Sequence, residues 1–118
     1  MIDVDFSRTK NGFRLHIEGH ADYGESGNDI VCASVSGIFY ALCGYLLNFK
    51  KDTLHVNAIE SGLADIECGH ECEDYLQLAC LGFWQIAMSY PEHVRLNNRA
   101  WRWRMNPDHL SSAKKQHV

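Results

Sequence analysis

From Ile30 to Phe49, twenty consecutive residues carry no charge. A run of about 20 apolar residues meets the length requirement for a membrane-spanning helix, so where it goes decides what the rest of the chain can be. Ser34, Ser36, Gly37, Gly44 and Asn48 interrupt it, and the segments on either side read as water-exposed hairpins. A helix buried in a soluble domain is the better reading, with no membrane partner. Val31, Val35, Ile38, Leu42, Tyr45, Leu46 and Phe49 recur at spacings of three and four, the period of an amphipathic helix. Asn28 or Asp29 caps it, and it is expected to reach about Asn48. Ile30, Phe39, Ala41 and Leu47 lie off or beside that stripe, so the helix is apolar nearly all round and needs cover on more than one side. A homodimer is expected for that reason.

The other segments supply the remaining cover. Ile2, Val4 and Phe6 alternate with polar residues, as do Phe13, Leu15 and Ile17, on either side of Asn11-Gly12. Period-two alternation around a turn dipeptide predicts a β-hairpin. Leu54, Val56 and Ala58, a turn at Glu60-Ser61-Gly62, then Ala64, Ile66 and Cys68 predict a second. A second helix starts near Cys72 with Glu71, Glu73 and Asp74 at its positive end, turns Leu76, Ala79, Cys80, Phe83, Ala87 and Tyr90 inward, and stops before Pro91. Val94 and Leu96 suggest a short last strand. The order β-β-α-β-β-α, with that possible final strand, predicts an α+β fold with two helices on a mostly antiparallel sheet.

With 118 residues, 46% of them hydrophobic, one compact domain is expected, spanning residues 1–98. Residues 99–118 form a basic, Trp-containing C-terminal strand or tail: five cations against Asp108 make a local +4 and leave −8 for residues 1–98. That balance gives no general field for nucleic acid, and a nucleic-acid partner is not expected. The N-terminus lacks a basic segment followed by an apolar one, so no signal peptide is read and a cytoplasmic location is expected. The five cysteines, Cys32, Cys43, Cys68, Cys72 and Cys80, are an odd set suited to reduced thiols.

If Asp29 is the cap, Cys32 is the third helical residue. Unpaired backbone N–H groups and the helix dipole there favour a thiolate, and the same N–H groups are available to a developing oxyanion. His20 follows directly on the second strand, with its backbone held by the sheet. A strand-end His and a helix-start Cys separated by a short loop can supply the base and nucleophile of thiol catalysis. Asp22 to Asn28, with Gly24 and Gly27, is a candidate lid over that pair. Asp29 is open to two readings, helix cap or third member orienting His20, of which the cap is the simpler. Ser36, one turn after Cys32, either lines the same face or packs.

The stretch GHADYGESGNDIVCASVS resembles the signature of the ribosomal-processing cysteine protease family, a Gly-His-Ala element followed by Gly-x-Asp-Ile-Val-Cys-Ala-x-Val-Ser. The match falls at Gly19, His20, Ala21, Gly27, Asp29, Ile30, Val31, Cys32, Ala33, Val35 and Ser36. The element order and size of residues 1–98 also resemble that family. The resemblance implies a cysteine endopeptidase that removes a short N-terminal extension from large-subunit ribosomal protein twenty-seven in bacteria. It assigns His20 as proton carrier and Cys32 as nucleophile, with no cofactor and a dimeric assembly.

Two other readings compete. Cys68, His70 and Cys72 gather two thiols and an imidazole at a strand-to-helix junction, enough for a small metal-binding module, although a structural zinc site usually takes four ligands. Arg99, Trp101, Arg102, Trp103 and Arg104 suit a noncatalytic, ribosome-associated interaction module that stacks on nucleic acid or an acidic partner; the blander alternative is indoles packed on the domain. His16, His55, His93, His109 and His117 lie in polar surroundings and are read as solvated. Tyr23 and Tyr75 show no defined partner.

Overall fold

A computed structural model describes residues 1–25 and 27–102. The strands β1 (Ile2–Arg8) and β2 (Gly12–Gly19) form the first hairpin, and β3 (Leu54–Glu60) and β4 (Leu63–Gly69) the second. Helix α1 (Ile30–Phe49) joins them, and α2 (Glu73–Ser89) leads to β5 (Val94–Asn98). The sheet order is β3-β4-β2-β1-β5. All neighbours are antiparallel except β1 and β5, which pair in parallel with Ile2 opposite Val94. The α+β fold with two helices on a mostly antiparallel sheet is thus the observed one, and the final strand is real.

One sheet face carries Val4, Phe6, Phe13, Leu15, Ile66 and Val94, all buried under the helices. Phe6 and Phe13 meet the ring of Trp101 at centroid distances of 5.5 and 5.3 Å, and Phe6 meets Phe83 at 6.0 Å. The core therefore continues past the last strand to Ala100 and Trp101, both buried. Trp101 packs on the domain and is not presented for stacking on a partner. The rest of the basic segment, with Trp103, Arg104, His109, Lys114, Lys115 and His117, lies outside the described residues.

The opposite sheet face is polar. Asp65 on β4 is 4% exposed there, yet ionised, because Arg14 forks onto both its oxygens and His16 Nδ1 (2.7 Å) and Asn57 Nδ2 (3.0 Å) add further donors. Arg14 chiefly, with Asn57 and His16, holds its carboxyl well below the usual range against the opposing effect of burial. His16, read from sequence as solvated, is half-buried in this network.

Three details depart from the sequence pattern. The buried line of α1 runs Val31, Val35, Phe39, Leu42, Cys43 and Leu46, so Phe39 replaces Ile38 at its centre, while Tyr45 and Phe49 stay outside. In a helix that is apolar all round, periodicity cannot choose the face; the neighbouring elements choose it. Ile38 and Tyr45 instead flank α2, Ile38 against Gly82 and Tyr45 against Tyr75, whose hydroxyls lie 3.1 Å apart. Tyr75 thus has a partner. In β3, a bulge at Asn57 reverses the alternation, so Ile59 and not Ala58 follows Leu54 and Val56 on the helix side.

Candidate active site

The site is assembled where β2 ends and α1 begins. Asp29 caps α1: Oδ1 accepts from the N–H groups of Val31 (3.0 Å) and Cys32 (2.9 Å). Its Oδ2 accepts from Tyr23 (3.0 Å) and Gly24 (3.2 Å), so one carboxylate ties the loop to the helix. These four donors, Cys32 foremost, hold the Asp29 carboxyl below its ordinary value. Every acceptor position is spent on backbone, which gives Asp29 the cap role and leaves it no bond to His20. The oxyanion expectation is corrected at the same point. The N–H groups of Val31 and Cys32 are taken by the Asp29 side chain and that of Ala33 by the Asp29 carbonyl (3.0 Å).

Cys32 is the half-buried member of the five free cysteines; the other four are buried. Burial raises the thiols of Cys43 to about 11 and of Cys68 and Cys80 to about 12, where a thiolate at neutral pH is negligible. The Cys32 sulfur receives the N–H of Ala21 at 3.5 Å.

His20 is exposed and follows Gly19, whose backbone φ of +107° and contact with the Met1 carbonyl leave no space for a side chain. The carbonyl of His20 accepts from the Met1 nitrogen at 2.6 Å. Its imidazole lies on Gly62 of the β3–β4 turn: a Cβ there would stand 2.7 Å from Nε2. The turn is held at that distance by Gly19 N–H donating to Gly62 O at 2.9 Å. Gly62 was visible in sequence only as a turn residue; its part in the site comes from a contact 42 positions away.

His20 and Cys32 line two adjoining cavities. One, about 500 Å³, is walled by Asp22, Gly24, Gly27, Asp29, Ala33 and Ser36. The other, about 380 Å³, runs between α1 at Val35, Ser36, Phe39 and Tyr40 and the β3–β4 turn at Ile59 to Ala64. Ser36 borders both. No hydrogen bond joins the imidazole to the thiol among the described residues, and such contacts often tighten only with substrate in place.

The candidate lid is anchored at its start. Tyr23 packs edge-on against Tyr90 and His93, each at 5.2 Å, and His93 Nδ1 donates to the Ala21 carbonyl at 2.8 Å. Both Tyr23 and His93 therefore have partners that their local sequence does not announce. The competing metal site does not assemble. Cys68 and Cys72 are buried, the Cys72 sulfur meets Thr53 Oγ1 at 3.0 Å, and His70 is exposed with its ring on Phe13. Among the described residues no three His, Cys, Asp or Glu groups are arranged to hold a metal ion.

The sequence profile of the family described as cysteine protease Prp matches residues 1–95. The ribosomal processing cysteine protease Prp of Staphylococcus aureus is 28% identical over 104 residues, which cover 82% of this chain and 98% of that protein. Two solved S. aureus structures of an essential ribosomal processing protease Prp share the fold. The one with a covalently linked product peptide has a TM-score of 0.75 at 27% identity; the one with a substrate peptide has 0.69 at 26%. Each covers 84% of this chain and all of the solved one. With the profile spanning both hairpins, both helices and the start of β5, the chain belongs to the Prp family of cysteine proteases.

Proposed function

We propose that Cys32 is the nucleophile and His20 the proton carrier of this protease, and that its substrate is the N-terminal extension of large-subunit ribosomal protein twenty-seven, cleaved in the bacterial cytoplasm. The supporting observation is that the half-buried thiol and the exposed imidazole border the same two cavities, while the other four thiols are buried. The named activity of the S. aureus relative and the covalent peptide in its structure support the same reading.

His20 takes the Cys32 proton, and the sulfur attacks the scissile carbonyl to give a tetrahedral oxyanion. The C–N bond then breaks as His20 returns that proton to the leaving amine, leaving a thioester on Cys32. A water gives a proton to His20 and adds to the thioester; the C–S bond breaks, the acid product leaves and Cys32 regains its proton. The chemistry calls for no cofactor.

The same reading includes a homodimer. Phe49 is 70% and Leu78 71% exposed, Tyr40, Leu47 and Met88 are also exposed, and an apolar groove of about 470 Å³ runs between α1 and α2. A second helix layer is the chemistry that fits such a surface.

The test is cleavage of a panel of ribosomal-protein extension peptides by the native enzyme, Cys32→Ala and His20→Ala. Native cleavage at one bond is expected, with both variants reduced at least about a thousandfold. Cleavage surviving either substitution overturns the assignment, and failure on every extension peptide overturns the substrate.

A further inference from the structure

Ala21 is fixed in three ways. Its side chain sits in the core at 1% exposure, its N–H meets Cys32 Sγ at 3.5 Å, and its carbonyl accepts from His93 Nδ1 at 2.8 Å. A carbonyl has no proton to give, so this last bond exists only when Nδ1 carries the hydrogen. His93 is itself well placed to act as an anchor. Its N–H donates to Tyr90 O (2.9 Å), its carbonyl accepts from Ile2 N–H (2.8 Å) where β5 meets β1, and its ring stands edge-on to Tyr23. Immediately after Ala21 the chain turns through Asp22 at φ +55° into the loop. Ala21 is therefore the residue that leads into that loop, and His93 is the side chain that holds its backbone.

We propose that His93 is a positioning residue for proteolysis: by fixing the Ala21 carbonyl it holds one side of Ala21, while the Met1 nitrogen on the His20 carbonyl holds the peptide on the other, and together they keep the Ala21 N–H against the Cys32 sulfur. The inference rests on the reading of Cys32 as nucleophile. His93 does not contact the sulfur or the His20 ring; it acts through one intervening residue. The Ala21 N–H holds the sulfur in its attacking position, so release of the Ala21 carbonyl weakens the nucleophile without altering the cavities that receive the peptide.

Two substitutions separate the donor from the ring. His93→Phe keeps an aromatic ring beside Tyr23 and removes the donor, whereas His93→Asn offers an amide N–H close to the Nδ1 position and removes the ring. Loss of one neutral hydrogen bond predicts a fall of about tenfold in kcat for His93→Phe, with KM near native. The alkylation rate of Cys32 by iodoacetamide at neutral pH falls in parallel, and the buried cysteines leave that signal to Cys32. His93→Asn stays within about threefold of native in both readouts. Native kcat and alkylation in His93→Phe, or equal loss in His93→Asn, overturns the proposal.

Imidazole nitrogen NMR on the native enzyme supplies a check that needs no variant: the neutral ring carries its proton on Nδ1, and an Nε2–H tautomer overturns the proposal. Cys32→Ala and His20→Ala run alongside. If those remain active, the nucleophile assignment has failed; if they are dead while His93→Phe is native, the positioning role alone has failed.

Discussion

At the scale of single residues, the setting of His20 depends on a neighbour with no side chain. Gly62 has φ +76° and gives its space to the imidazole. Gly62→Ala adds backbone strain of about 1 kcal/mol, and it also drives a methyl group into Nε2. The expected result is a fall in kcat of about tenfold or more at a temperature where thermal unfolding shows the variant fully folded. A native kcat in the folded variant would remove Gly62 from the site. Asp29 illustrates how much of the site can be read locally. Its cap, the helix-start position of Cys32 and the strand-end position of His20 all follow from spacing over thirteen residues. Gly62 and His93 do not, because their roles arise from contacts 42 and 72 residues away that no local pattern encodes.

At the scale of elements, both hairpins and both helices were legible because alternation and helical period are properties of contiguous sequence. The buried face of α1 was legible in part: Val31, Val35, Leu42 and Leu46 follow the period, but Phe39 and Ile38 are equally apolar and only the packed sheet decides between them. The β3 bulge was equally hidden. Asn57, the extra residue, bonds both Asp65 (3.0 Å) and Glu67 (2.9 Å), so the bulge serves the polar face of the sheet.

That face gives a pH prediction. The native Asp65 carboxyl lies below its unfolded value, chiefly through Arg14. Its contribution to stability is therefore fully present above the ordinary carboxylate pKa of about 3.9. It declines as pH falls below that value toward the depressed native one. Asp65→Asn is expected to cost about 1–3 kcal/mol at neutral pH and to flatten the acid limb of stability against pH in urea unfolding. An acid limb parallel to the native one would show that other carboxylates set it.

For the whole molecule, the sheet buries one face under two helices, and those helices leave apolar side chains outward. If a second copy covers them, Leu78→Glu, remote from the two site cavities, is expected to give a monomer in sedimentation with native fold by circular dichroism. A native chain that sediments as a monomer at micromolar concentration would instead assign that surface elsewhere. The fold class was readable from element order, whereas the parallel pairing of β1 with β5 was not: it joins segments about ninety residues apart, and each alone reads as an ordinary short strand.

That pairing also has a temporal meaning. During synthesis the first hairpin, the segment after it and α1 emerge early, and with them every residue of the His20 to Ser36 stretch. The strand that seats His93 beside Ala21 and bonds Ile2 comes at residues 94–98, more than fifty positions later. Domains form as their last long-range contacts close. Under the positioning role proposed for His93, Ala21 beside the Cys32 sulfur stays unclamped until the tail end of the fold returns to the strand that began it.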